Sequence, residues 1–285
     1  MKIEPLLKYL HTWPPEVIWV ILLVFTFGAI LAMLRMFGAS GLYIYISIAV
    51  IAANIQVLKA VKFSVFDKPV ALGTILFATT YICTDILNEF YGRKAARKSI
   101  YIGFMAMFLM TVFMLLTLGF RPLNPEEAVN GMEWALESHK HIAGVFLSSP
   151  AILLAGMIAY LCSQLNDVWL YSFFKKLTKG KYIWFRNNAA AAISAFIDDV
   201  VFSVLAWVVF ADEPLAPGVL WGTYILGTYA LRLVVAIVDT PVIYLAKYCK
   251  YKNKAHEEER VAPEERVAPV VTSTQRRPGR LFENA

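Results

Sequence analysis

Asp85 and Glu89 stand four residues apart in TYICTDILNEFYGRKAARK, residues 80–98, at the end of an apolar run and just before four basic residues. At that spacing two acids share one helix face and repel, and at a helix C-terminus the backbone dipole adds to the cost. A sequence that keeps them there has a use for negative charge: binding a cation, a proton or the N–H edge of a ligand. The pattern recurs. Gln164 and Asp167 are three apart, Ser194 and Asp198 four apart, and each pair shares a face. Asn54, Lys59, Asp199, Arg232 and Asp239 complete a set of polar groups set in apolar surroundings. Asp198 and Asp199 are about 100° apart around a helix, so Asp198, aligned with Ser194, is the acid expected to point inward. Glu89 is expected to pair with Arg93 four residues on, and Asp85, a turn deeper, to line a cavity with Asp198 and Asp239, offset by Arg232 or by a ligand.

The surroundings explain why these residues stand out. Of the 285 residues 59% are hydrophobic and only 17% charged, with a mean hydropathy of +0.58, the balance of a membrane protein. Apolar runs long enough to cross a hydrocarbon core fall at 17–36, 41–59, 70–90, 100–120, 150–174, 188–210 and 219–245. The expected fold is an all-α polytopic bundle of about seven spans. The first run is expected to be a retained helix, since it is longer than the apolar region of a signal peptide and lacks a basic flank. The fifth should open with Ser149 as cap and Pro150 at the first helical position. Charged side chains inside such spans are costly and mark pathways or sites.

Loop charges orient the bundle. Arg93, Lys94, Arg97 and Lys98 follow span three, and Lys175, Lys176, Lys179, Lys181 and Arg186 follow span five. These connections and the C-terminus, with Lys247, Lys250, Lys252 and Lys254, are expected in the cytoplasm. Glu126, Glu127, Glu133 and Glu137, and Asp212 with Glu213, mark outward connections; Lys62 and Lys68 fall outside against the trend. Residues 124–138, with Asn124 as cap and Pro125 next, read as a short interfacial helix. After residue 250 the polar chain repeats EERVAP and reads as a disordered tail, 251–285.

Several function classes drop out. The four histidines, His11, His139, His141 and His256, lie in tails or connections and no HExxH occurs, which argues against an intramembrane hydrolase. Arg232 cannot form the Schiff base of a retinal protein. No GxxxxGK[ST] supplies ATP hydrolysis. The three cysteines show neither CxxC spacing nor a disulfide framework, and no cofactor or metal is expected. The basic charge belongs to cytoplasmic connections, not to a nucleic-acid surface.

The run GTILFATTYICTDILNEFYGRKAARKSIYIGF, followed in order by YLCSQLNDVWLY, RNNAAAAISAFIDDVVF and LRLVVAIVDTPVIYL, resembles the queuosine-precursor transporter family, also known as a vitamin-uptake family. The likeness covers residues 45–246. It implies a transporter core at 41–250, preceded by an extra helix within 1–40, that imports a 7-deazaguanine derivative or queuine for tRNA modification through the inner membrane. It further implies a polytopic protein contacting a small heterocyclic substrate and the lipid bilayer; the surplus of inward-capable carboxylates over Lys59 and Arg232 suits in addition a coupled proton or cation. An ATP-driven uptake complex using this chain as its binding subunit, or a carrier of another small heterocycle, is the alternative. The substrate-binding residues it implies are Asn54, Lys59, Asp85, Glu89, Gln164, Asp167, Asn188, Ser194, Asp198, Arg232 and Asp239, with Arg186, Asn187 and Tyr244 also matching. Arg232 replaces a lysine usual in the family, and Ala189–Ala192 with Ala195 replace polar residues. Trp169, Tyr171 or Phe202 could stack on a ring face.

Overall fold

The computed structural model describes residues 3–64, 69–128, 131–147, 150–211 and 213–249. The Ser149 cap, Lys68, Asp212, the lysines from 250 onward and the tail 251–285 lie outside the described residues. Helices dominate: α1 (Glu4–Leu10), α2 (Pro15–Gln56), α3 (Thr74–Phe90), α4 (Arg93–Leu118), α5 (Trp134–Phe146), α6 (Pro150–Leu177), α7 (Ile183–Val204), α8 (Pro217–Val219) and α9 (Leu226–Val238). A two-residue antiparallel pair, β1 (Ala60–Val61) with β2 (Val70–Ala71), joins α2 to α3. π-helical turns extend α7 over Leu205–Val209 and link α8 to α9 over Leu220–Ile225.

Five helical stretches are long and apolar enough to cross a membrane: Pro15–Gln56, Arg93–Leu118, Ile152–Leu177, Ile183–Val209 and Pro217–Val238. The first is two crossings. Gly38, at φ 59° and ψ −137°, breaks it in a conformation closed to residues with a Cβ. The arms 15–37 and 39–56 fold back on each other: Glu16 accepts from the Ser64 backbone N–H, Thr26 meets the Tyr45 hydroxyl, and Gly41 lies against the Met33 carbonyl. These arms, the four other stretches and the 17-residue α3 correspond in order to the seven apolar runs, although α3 is shorter than the candidate spans. The four basic residues 93–98 form the first turns of α4 rather than a loop.

α3 is the centre of the bundle. From Thr74 to Asn88 every residue except Phe77 is buried, and it packs against α2, α4, α6, α7 and α9. Its 17 residues span about 26 Å at 1.5 Å per residue. Because protein surrounds it, polar side chains are affordable here: Thr79, Thr80 and Thr84 each donate to the carbonyl three residues back. Around it, α6 and α7 approach closely through small residues. Ala155, Ala159 and Ser163 on one, and Ala190, Ala191, Ser194 and Ala195 on the other, are all buried.

α9 ends at Asp239 because Pro241 lacks the N–H that would continue the ladder. Helix resumes over 240–249. The expected helix at 124–138 is displaced. Pro125 to Glu127 make a single turn, held by the Asn124 N–H donating to Glu127 Oε2 at 2.9 Å. Gly131, at φ 85°, separates it from α5, which starts only at Trp134.

Gly38→Ala should lower stability by about 1–3 kcal/mol, the cost of forcing a Cβ into a backbone region reserved for glycine. A thermal unfolding scan in detergent would show the loss; an unchanged midpoint would mean the reversal does not depend on this residue.

Candidate functional site

A cavity of about 240 Å³ lies in the half of the bundle that bears the β pair. Val57 and Leu72, beside the β pair, and Thr74, at the start of α3, contribute to its lining. Phe77, Phe202, Trp207 and Tyr224 give it aromatic walls, and Asp198, Asp199 and Arg232 are its charged residues. Trp207 and Tyr224 come from the two π-helical turns and meet with ring centroids 5.0 Å apart. π-turns widen a helix locally and recur at functional sites; here both project an aromatic ring into one wall.

Arg232 holds both neighbouring acids. Its Nη1 pairs with Asp198 Oδ2, and its Nε lies 3.3 Å from Asp199 Oδ1. Ser163 donates to the other Asp198 oxygen at 2.8 Å. All three ionic residues are buried. The expectation that only Asp198 turns inward is thus corrected. The 100° between adjacent positions is real, but a planar guanidinium set between them reaches both with different nitrogens, which an ammonium could not do as well. An acid doublet in a span that must receive an arginine was the sequence signal for Asp199.

Toward the opposite end of the bundle the polar contacts continue. Gln164 Nε2 donates to Thr80 Oγ1 at 2.6 Å, and Thr84 Oγ1 lies 3.3 Å from Gln164 Oε1 and 3.5 Å from Asp167 Oδ2. Ser194 accepts from Asn166 at 3.2 Å. Asn187 donates to Asp239 Oδ1 at 2.9 Å. Asp85 is fully buried, and neither of its oxygens receives a hydrogen bond from any described protein donor. The group facing it is another acid, Asp167, with Asp239 and Glu89 adding negative potential. Asp85 and Asp239 lie outside the cavity lining. Asp85 is eight residues beyond Phe77, about 12 Å along α3, so the expectation of one cavity shared by Asp85, Asp198 and Asp239 gives way to two separate layers.

Glu89 closes the far end. Its carboxylate forms ion pairs with Arg186 Nη2 at 2.6 Å and Lys175 Nζ at 2.9 Å and accepts from the Tyr171 hydroxyl at 3.1 Å, while Arg186 Nε donates to that same hydroxyl. The Arg186 side chain is wholly buried. Arg93 is not the partner: Gly92, at φ 90°, breaks the chain between α3 and α4, so the i,i+4 relation does not exist.

Other sequence candidates fall away from this column. Asn54 is buried beside cavity-lining Gly156, and its amide nitrogen donates to Val50 O and Met107 Sδ. Lys59 lies beyond the end of α2 and is exposed, not inside a span. Asn188 is half-buried and bonds Thr240 and Trp184 O. Trp169 stacks on Phe173 at the exposed surface, and Tyr244 is also exposed. Phe202 is on the cavity, whereas Tyr171 serves the Glu89 cluster.

The two kinds of buried charge should respond oppositely to neutralisation. Arg232→Met leaves two buried acids without a counter-charge and should cost about 3–5 kcal/mol. Asp85→Asn removes a charge that has no donor and supplies an amide N–H for Asp167, so stability should hold or rise. Unfolding midpoints of the two purified variants decide it; a large loss in Asp85→Asn would reveal a hidden partner.

A transmembrane bundle with an acid-and-arginine cavity at one end, a paired ionic cluster at the other and polar groups between them has the layout of a path for a polar solute. A relative from Bacillus subtilis (strain 168), described as "Probable queuosine precursor transporter", is 29% identical over 230 residues, covering 80% of this chain and 93% of the relative. No solved structure matches. Residues 71–246, which include α3, α6, α7, α9 and the whole polar column, match the family described as "Putative vitamin uptake transporter", and the chain belongs to this family of transporters rather than to an enzyme family.

Proposed function

We propose that this protein imports a queuosine precursor, a 7-deazaguanine derivative or queuine, through the inner membrane to supply tRNA modification. The observation that carries the reading is the cavity: flat aromatic walls over a floor of two acids and one arginine, at one end of a polar column through the bundle. Aromatic walls suit a fused ring, and carboxylates beside a guanidinium suit an edge with both N–H donors and acceptors. At about 240 Å³ the cavity is below the roughly 300–1,000 Å³ of sites for drug-sized ligands, which favours a free base over a nucleoside. The name of the Bacillus subtilis relative points to the same substrate class.

The orientation we assign puts Arg93, Lys94, Arg97, Lys98, Lys176, Lys179, Lys181 and the C-terminus in the cytoplasm, by the distribution of basic residues. The cavity then faces outward, and the Glu89–Lys175–Arg186 cluster closes the inner end. Between them, Asp85 and Asp167 are the groups to couple transport to a cation. Two carboxyl groups in contact and away from water repel unless a proton or another cation joins them. In this scheme 41–250 is the transporter core, and the N-terminal arm of α2 buttresses it through Leu23 against Ile75, Ala78 and Val235.

In cells lacking both queuosine synthesis and endogenous import, expression should restore queuosine in tRNA when a precursor is supplied at low concentration. Asp198→Asn and Asp85→Asn should abolish that rescue with membrane abundance near normal, and Glu89→Gln should cost less. Failure with every precursor, despite membrane expression, would sink the assignment. The orientation has its own test: single cysteines at positions 94 and 179, in a background without native cysteines, should resist an impermeant thiol reagent applied from outside. Labelling at both would invert the topology.

A further inference from the structure

A second binding surface lies on the outside of the bundle. A shallow groove runs along α4, headed by Lys94, Arg97 and Lys98 and continued by Tyr101, Met105 and Leu109. The three cations are exposed, and none forms an ion pair with an acid among the described residues. Lys98 Nζ lies 5.7 Å from the Tyr43 ring centroid, so α2 supports one side of the head of the groove. The apolar part is exposed too, with Tyr101, Met105 and Leu109 each between 42% and 48% accessible.

We propose that this groove binds an anionic phospholipid, its phosphate seated on Lys94, Arg97 and Lys98 and one acyl chain lying along Tyr101, Met105 and Leu109. The charge supplies half of the argument: three unpaired cations within five residues of one helix offer more positive charge than a zwitterionic headgroup can use. Length supplies the other half. From Lys98 to Leu109 the helix rises about 16 Å, close to the roughly 15 Å of hydrocarbon that one leaflet contributes to a 30 Å core. A free phosphate or a nucleotide would engage the head and leave the apolar stripe unused. The inference does not depend on the substrate assigned above.

The measurement is native mass spectrometry of the purified full-length protein. Delipidated samples are offered phosphatidylglycerol and phosphatidylcholine with the same acyl chains, with and without excess inorganic phosphate. Wild type should retain phosphatidylglycerol about tenfold better than phosphatidylcholine, with little competition from phosphate. The triple variant Lys94→Gln/Arg97→Gln/Lys98→Gln should lose that preference. A control triple on the other basic connection, Lys176→Gln/Lys179→Gln/Lys181→Gln, should keep it. Equal retention of the two lipids by wild type would overturn the proposal without recourse to any variant. So would equal loss in the two triples, which would mean a diffuse attraction to the basic end, or displacement by phosphate, which would mean a headgroup site with no role for the stripe.

Discussion

The ion pair of Arg232 with Asp198 and Asp199 is the contact on which the arrangement of the interior depends. Within a membrane a lone charge has no water to fall back on, so α7 and the last span must meet where the guanidinium can reach both acids. That junction leaves one excess negative charge at the cavity. At the other end Glu89, with Lys175 and Arg186, leaves one excess positive charge. The column therefore carries opposite charge at its two ends, with neutral hydroxyls and amides between and the acids Asp85, Asp167 and Asp239 set into that middle layer.

Backbone irregularities place these layers. Gly38 reverses the first long helix so that two arms back α3, Gly92 separates α3 from α4 directly after Glu89, and Pro241 turns the chain at Asp239. The two π-helical turns bring Trp207 and Tyr224 together over the cavity. Each is a departure from regular helix, and each adjoins a buried polar or cavity-lining side chain or the helix that carries several. The regular parts supply the rigidity: α3 is sheathed by five neighbours, and α6 and α7 lock through alanines and serines that let their backbones come close.

Much of this was legible in the chain. Apolar runs located the helical stretches of the bundle, including α3, which at 17 residues is a little shorter than the five candidate spans. Asp198 was readable as an inward acid and Arg232 as one candidate counter-charge, but Ser194, its neighbour on the helix face, bonds Asn166 while Asp198 takes Ser163 and Arg232. What spacing cannot give is depth and partner. Asp85 and Asp198 were both readable as inward, but whether they share a layer depends on how α3 slides against α7, which is set by packing. Glu89 and Arg93 are four apart in number only, because a glycine with positive φ lies between them. Asp199 was discounted by a projection of one helix alone, whereas the arginine that accepts it comes from another. The π-helical turns leave no periodicity signal, and so Trp207 and Tyr224 were not singled out.

The asymmetry of the two ends bears on how such a column could work as a path. The cavity end is open enough to hold a ligand while its ion pair stays intact, since Arg232 needs to move from neither acid for a ring to lie against Phe77 or Phe202. The far end has no cavity among those described, and its arginine is wholly buried; passing a solute there means parting Glu89 from Arg186 and Lys175. Separating a buried pair costs about 3–5 kcal/mol when a partner is simply removed, comparable to what two hydrogen bonds from a small base to ionised groups return. In the proposed scheme a cation taken up between Asp85, one turn from Glu89 on α3, and Asp167 on α6 would change the potential that Glu89 feels and so act on the cluster to be opened. In that scheme Asp85, with no donor among the described residues, and Asp167, which accepts from Thr84, stand between the cavity and the closure rather than in either, the arrangement that coupling of the two would require.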